Sequence, residues 1–245
     1  MIAKAFKQQI RNFLKKRGLD IVFYPSDSKS RMLKLLSSYD INIVMDVGAN
    51  IGQYAKELRN LGYTNRIISF EPLSSAFHQL QKSSSKDNLW DVYHHALGDK
   101  DCKSEINISG NFNSTSSSIN EMLPYHQEVA PGSKYIGKEE IEIKTIDTVF
   151  NKLCKEKDSV YLKVDTQGFE KNVIDGAKKS LQHISTIQLE MSLVPLYENE
   201  LLFNQMYDLL FQKDYRLVSL EPGIPDTKTG QLLQVDGIFH RLETK

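Results

Sequence analysis

The 245-residue sequence is poor in cysteine, with only Cys102 and Cys154, and holds a single tryptophan. Two thiols can neither staple a small secreted scaffold nor supply a cysteine-built zinc site, so a reduced, cytoplasmic setting is the expectation. Neither sign of charge is in excess, since 31 Lys and Arg face 31 Asp and Glu. A neutral chain lacks the long-range attraction that a phosphate backbone exploits, which argues against nucleic acid as a partner. Long hydrophobic runs are also missing, and none reaches the roughly 18 apolar residues of a membrane-spanning helix. The basic first segment could imitate a signal peptide, but Lys4, Lys7, Arg11, Lys15, Lys16 and Arg17 interrupt any apolar stretch. Retention of that segment is expected.

What is present is an average globular composition, 40% hydrophobic and 25% charged, enough for one large core. Phe6, Ile10 and Leu14 recur at helical spacing before the stop signal Gly18, and a turn at Tyr24-Pro25-Ser26 leads to a second short helix around Ser30 to Tyr39. Residues 1–40 are therefore read as an N-terminal helical extension. Its basic face either stays in water while the apolar face packs on the domain, or meets a membrane surface or an acidic partner.

From Ile41 the pattern changes, and residues 41–245 are read as one domain. Ile41 to Val47 is a nearly unbroken apolar run, as expected of a strand buried on both faces of a parallel sheet. Ile51, Ala55 and Leu58 mark a helix ended by Gly62; Arg66 to Phe70 is a second strand, Ser74 to Gln81 a helix, and Trp90 to Ala96 a third strand. Ser159 to Asp165 and Ile184 to Met191 are a fourth and fifth, separated by a helix carrying Val173, Ile174, Ala177 and Leu181. After a helix with Leu202, Met206, Leu209 and Leu210 come Tyr215 to Leu220 and Leu232 to Leu242. The turn between these last two leaves no room for a crossover helix, so they must pair antiparallel. The result is a doubly wound α/β sheet of seven strands with an antiparallel last strand. Ser109 to Gly137 has little periodicity and many Ser, Asn, Pro and Gly residues; it reads as a long loop, a lid-like insertion spanning about 109–138, flanked by strands at Ser104 to Ile108 and Ile141 to Thr145.

In such a sheet ligands bind at the carboxyl ends of the strands. The first strand ends in Asp46-Val-Gly-Ala-Asn-Ile-Gly, where Gly48 and Gly52 would let a backbone approach a ligand at a helix N-terminus. The second ends in Glu71, about 20 positions on, where an acidic residue grips a ribose diol. An adenosyl cofactor is implied. The dinucleotide fingerprint needs glycine at its first, third and sixth positions, and counting from Gly48 the last two are Asn50 and Gln53. Without a pyrophosphate cradle, a cofactor with one ribose and a charged tail fits better, and S-adenosylmethionine is of that kind. Asp46 could orient the turn or meet the cationic methionyl part. No phosphate loop of the Walker type is present.

The motifs Asp46-Val-Gly-Ala-Asn-Ile-Gly-Gln-Tyr, Phe70-Glu-Pro, Ala96-Leu-Gly-Asp, Leu162-Lys-Val-Asp-Thr-Gln-Gly-Phe-Glu, Leu189-Glu-Met-Ser and Gln234-Val-Asp-Gly-Ile-Phe occur in this order. Together, from about Ile41 to Phe239, they resemble the FkbM-type family of S-adenosylmethionine-dependent methyltransferases. The resemblance implies a seven-stranded, Rossmann-like cofactor-binding fold. It also implies O-methylation of a hydroxyl on a sugar, glycan or secondary-metabolite acceptor. On the same basis Asp46, Gly48, Ala49, Asn50, Gly52 and Tyr54 would line the methionine side of the cofactor. Glu71 and Pro72 would hold the ribose, and Ala96 and Leu97 would lie against the adenine.

An alcohol must lose its proton to act as a nucleophile, which calls for a positioned base or a metal that acidifies it. Asp165 closes the fourth strand, Glu190 lies near the end of the fifth, and Asp236 enters from the antiparallel strand. These three carboxylates are candidate ligands for Mg²⁺ or another divalent cation, while Asp165, Glu190 or His126 could act as base without metal. Metal-free chemistry is the preferred expectation. His94 and His95 are adjacent and would face opposite sides of a strand; His240, four positions after Asp236, is a minor candidate. The Asn/Asp-Pro-Pro-Tyr/Phe block characteristic of exocyclic-amine methylation is absent after the fourth strand. An NAD-dependent oxidoreductase and a non-catalytic binding protein on the same fold are the competing readings.

Overall fold

The computed structural model describes residues 10–18 and 27–242. Its first half runs through α1 (Asp27–Ser38), β1 (Ile43–Val47), α2 (Gln53–Asn60), β2 (Arg66–Phe70), α3 (Ser74–Ser84), β3 (Trp90–Tyr93), β4 (Ala96–Leu97) and β5 (Cys102–Ser109). The second half holds α4 (Pro124–Val129), β6 (Tyr135–Lys144), α5 (Ile146–Leu153), β7 (Val160–Val164), α6 (Glu170–Asp175), β8 (Ile184–Ser192), α7 (Phe203–Phe211), β9 (Tyr215–Pro222) and β10 (Gln234–Arg241). Seven strands form one sheet in the order β3-β2-β1-β7-β8-β10-β9. β10 runs antiparallel to both of its neighbours, and the other pairings are parallel. The α/β architecture and the antiparallel last strand are those the sequence predicts.

Successive residues of a strand face opposite sides, so the unbroken apolar run of β1 feeds two cores. Val44 joins Ile67, Tyr161 and Ile238 under Met32 and Leu36 of α1, Ala55 and Leu58 of α2 and Leu80 of α3. Met45 joins Phe70, Leu162, Ile187 and Phe239 under Phe150 of α5 and Met206 and Leu210 of α7. Full burial of such side chains contributes about 1.5–3 kcal/mol each, which is why helix faces and strand faces lock in this register.

Three expectations are corrected. The strand expected over Trp90 to Ala96 breaks at His94-His95, and Ala96-Leu97 crosses to a separate three-stranded sheet of order β4-β6-β5. His94 stacks on Phe77 and His95 packs against Phe70, so these histidines are held by aromatic neighbours. The helix carrying Val173 and Ile174 stops at Gly176, where a Cβ would lie 1.9 Å from the carbonyl oxygen of Gly98. Ala177 and Leu181 reach the core from the following turns instead. The segment read as a loop over Ser109 to Gly137 contains α4 and two short 3-10 turns, and β6 already begins at Tyr135.

That insertion is held down by an apolar cluster, in which Met122, Tyr125 and Val129 pack with Leu196, Tyr197 and Leu233, and by polar side chains. Ser118 Oγ donates to the carbonyl of Gln167 at 2.6 Å, Asn120 Nδ2 to that of Gly168 at 2.7 Å, and Asn50 Nδ2 to that of Asn113 at 2.8 Å. Residues 10–15 are helical, with Ile10 and Phe13 exposed. Phe6 and the turn at Tyr24-Pro25-Ser26 lie outside the described residues.

Candidate active site

The site grows from the turn after β1. Gly48 adopts φ +77°, and a Cβ there would sit 1.9 Å from the carbonyl oxygen of Asp165, so only glycine lets the ends of β1 and β7 approach this closely. Asn50 is also left-handed, with φ 48°. Gly52 is required both by its backbone, at φ +84°, and by packing, since a Cβ there would meet the Trp90 ring at 2.7 Å.

A first cavity opens between the ends of β1, β2 and β7, bordered by Gly48, Asn50, Glu71, Pro72, Ala96, Leu97 and Asp165. Glu71 is buried, and its two carboxylate oxygens accept the amide N–H groups of Asn50 and Leu73, each at 2.8 Å. Burial outweighs these bonds and pushes its carboxyl up to about 7. Each oxygen keeps a lone-pair direction for a further donor. Phe70, Leu97, Ile106, Ile119 and Phe169 supply apolar walls suited to a flat ring. The donor set therefore fits an adenosine: a carboxylate for a diol beside apolar faces for a base. The space is tight, about 60 Å³ against the ~300–1,000 Å³ of ordinary ligand sites, because Ser114, Thr115 and Ser117 of the insertion press into it.

A second cavity of about 450 Å³ lies on the other side of the glycine turn and shares Gly48, Asn50, Thr115 and Asp165 with the first. Ala49 and Tyr54, expected on the cofactor, line this second space instead. Its floor contains Lys163, a residue the sequence reading passed over. The ammonium lies 3.3 Å from Asp46 Oδ1 and 3.3 Å from Asp165 Oδ2, and 5.3 Å from the centroid of the Tyr54 ring. Burial alone would push this lysine down, yet Asp165 and Asp46 together hold it above the ordinary lysine range. Burial raises the Asp46 carboxyl even against Lys163. The signal was there: a lysine in the middle of the otherwise apolar Val160-Tyr-Leu-Lys-Val must find counter-charges. Gln188, equally unforeseen, accepts from Tyr54 at 2.9 Å and Tyr161 at 2.8 Å and turns its Nε2 to Asp236 at 3.5 Å.

Asp165 stands where the cavities meet, with Oδ1 accepting from Gln167 Nε2 at 2.8 Å and its side chain 35% exposed. Asp236 faces the second cavity, its carboxyl raised by burial and by the charge of Asp165. Glu190 lines neither cavity; its Oε2 accepts from Gln167 Nε2 at 2.7 Å and Gln234 Nε2 at 2.9 Å, and burial with the nearby carboxylates raises it well above its ordinary range. His126 does not reach the site. It is buried on α4, edge-on to Tyr197 at 5.0 Å, and burial lowers its pKa. Among the described residues no group of three or more His, Cys, Asp or Glu side chains is arranged to hold a metal. Asp165, Glu190 and Asp236, the tentative cation ligands, do not converge as that alternative needs: the Lys163 ammonium and the amides of Gln167, Gln188 and Gln234 are their partners. His240 is directed elsewhere too, stacked on Tyr39 with its Nδ1 2.9 Å from Thr186 Oγ1.

The Glu71 geometry sets a testable expectation. If Glu71 holds a ribose diol, as the sequence leads one to expect, Glu71→Gln should weaken S-adenosylhomocysteine binding about 10- to 100-fold, the loss expected for hydrogen bonds to a charged acceptor. Because the folded carboxyl titrates near 7, wild-type affinity should rise between pH 6 and 8 as it ionises, and the variant should lose that rise in calorimetry. The sign for the unliganded fold is opposite. A raised carboxyl stabilises below its ordinary range, and that contribution is lost as pH climbs through about 7.

The model of the methyltransferase FkbM domain matches residues 46–217. No curated protein matches the chain. Among solved structures, TrmK from M. capricolum, in complex with S-adenosyl-homocysteine, is 11% identical, with 89% of this chain and 70% of that one covered at a TM-score of 0.46. Precorrin-6y C5,15-methyltransferase from Geobacter metallireducens is 12% identical over 89% and 90% of the two chains, with a TM-score of 0.43. TehB from Haemophilus influenzae is 10% identical over 94% and 66%, with a TM-score of 0.46.

Proposed function

Since the chain belongs to the FkbM methyltransferase domain family, whose members use S-adenosylmethionine, we propose that it methylates a hydroxyl on a small polyhydroxylated acceptor or glycan. The observation that carries this reading is Asp165 at the junction of two cavities, one with an adenosine-like donor set and the other roomy and polar. When bound, S-adenosylmethionine supplies an electrophilic methyl group and departs as the neutral thioether. Asp165 takes the hydroxyl proton as the oxygen–methyl bond forms. Gln167 fixes one of its oxygens and Lys163 faces the other, so the base is oriented before the acceptor arrives. Glu71 holds the ribose diol, with Pro72, Ala96 and Leu97 along the adenosyl moiety. Glu190, behind Gln167, positions that amide.

Asn50 and Gln53 stand where a dinucleotide loop needs glycine, which weighs against the oxidoreductase reading. A thermal-shift titration with S-adenosylhomocysteine against NAD separates the two. A ligand specific for the folded state at a hundredfold excess over Kd adds about 2.7 kcal/mol. A rise with S-adenosylhomocysteine alone is the expected result, followed by its production from S-adenosylmethionine when neutral methyl glycosides are supplied. A rise with NAD alone would sink the reading, and cofactor binding without transfer would favour a binding protein.

A further inference from the structure

The two cavities differ in which parts of the chain build them. Every lining residue of the first lies within 46–217, the segment that matches the family. The second is walled in part by residues outside it, Lys29 and Met32 of α1 and Ser219, Glu221, Asp236 and Ile238 of β9 and β10. α1 crosses this space as a strap. On one side Lys29 pairs with Glu57 of α2, and on the other Arg31 pairs with Glu221 of β9 at 2.6 Å, both glutamates being cavity residues. Between them Met32 is buried and places its sulfur 3.6 Å from the hydroxyl of Tyr54. Half-exposed ion pairs hold a helix weakly, so burial of Met32 and Leu36 anchors α1 while the pairs set its lateral position.

We infer that α1 is an acceptor-selecting element: through Met32, Lys29 and Arg31 it sets the width and charge of the cavity that takes the hydroxylated co-substrate. The inference rests on the reading of the second cavity as the acceptor site. Chemistry at Asp165 and grip at Glu71 belong to the common framework, whereas the outer wall is free to differ without disturbing either. The ionic groups of that wall are already matched, Lys29 to Glu57, Arg31 to Glu221 and Lys163 to Asp46 and Asp165. Asp236 is left turned towards the space with Gln188, so the wall is suited to neutral, hydroxyl-rich acceptors and repels anionic ones.

The test uses the full chain, S-adenosylmethionine and a panel of neutral methyl glycosides with their phosphorylated counterparts, reading S-adenosylhomocysteine formed. Three proteins are compared with wild type: Met32→Trp, which narrows the cavity from α1; Lys29→Ala with Arg31→Ala, which unlatches the helix at exposed positions; and Ser219→Phe, which narrows the cavity from β9. Met32→Trp is expected to raise the acceptor KM about tenfold or more with kcat and S-adenosylhomocysteine Kd little changed, the signature of lost uniform binding. The unlatched variant is expected to change the order of preference within the panel, and it serves as the readout if Met32→Trp does not fold. A shift with Ser219→Phe but none with either α1 variant would overturn the role of α1 and leave the acceptor site standing. No transfer by the wild type to any member, with S-adenosylhomocysteine still bound, would remove the acceptor reading and the inference with it.

Discussion

Asp165→Asn is expected to lower kcat about 10²- to 10⁴-fold, the range for loss of a positioned proton acceptor, while S-adenosylhomocysteine still binds. Asparagine is nearly isosteric and its carbonyl oxygen can keep the 2.8 Å bond from Gln167. What it cannot do is accept the acceptor's proton. The substitution also leaves Lys163 with Asp46 as its remaining carboxylate, so some loss of stability accompanies the loss of rate. The two are separated by measuring turnover at saturating acceptor well below the melting temperature and cofactor affinity by calorimetry. A variant turning over within about tenfold of wild type would remove Asp165 as the base.

The second large effect concerns Lys163→Met, which keeps the length of the side chain and removes its charge. Asp46 is fully buried and would be left with Ser69 as its hydrogen-bonding partner, at 3.4 Å. Breaking a buried pair from one side costs about 3–5 kcal/mol, because the abandoned charge remains desolvated. The pH dependence follows from the direction of the shifts. In the wild type the lysine titrates above its ordinary range, so its contribution is present throughout the neutral and acidic range and is lost only in strong alkali. In the variant, burial raises Asp46 without opposition. Its penalty is therefore absent below the ordinary carboxylate range and grows as pH rises through the raised value. Urea unfolding at pH 5 and pH 8 should show the larger deficit at pH 8, and adding Asp46→Asn should recover much of it. An equal deficit at both pH values would mean that packing, not charge, is lost.

The sheet was readable because each strand announces itself locally: apolar runs such as Val44 to Val47 and Val160 to Val164 have no alternative burial, and the turn after Pro222 is too tight for a crossover. Strand-end positions likewise explain how Asp46, Glu71 and Asp165 gather at one edge of the sheet. Lys163 was not readable in the same way. It hides within an apolar run, and its partners, one strand over and two positions on, become neighbours only after β1 and β7 pair. Gln188 and Tyr161 are a similar case, since nothing local signals that they meet across β7 and β8. The insertion escaped because serine and asparagine side chains bonding to backbone carbonyls, together with a few scattered apolar residues such as Met122 and Val129, hold it, an arrangement with no period to detect. His126 misled for the complementary reason. A histidine in a polar stretch suggests solvent and chemistry, but α4 turns its ring onto Tyr197.

The pairing of β1 with β7 carries a consequence for how the molecule is made. The central strand finds β2 soon after synthesis, but its other edge is filled by residues that follow 117 positions later, Val160 pairing with Ile43. At ~5–20 residues per second, that edge waits roughly 6–23 s on the ribosome with its amides unpaired and its Val, Ile and Met side chains half covered. Such a nascent chain offers an apolar template to other chains, and the distant β1–β7 pairing raises the contact order of the fold. Yield should therefore fall through aggregation more than through any weakness of the finished fold, and a chaperone that holds the β1–β3 unit should recover it, whereas slower translation, which lengthens the exposure, should not.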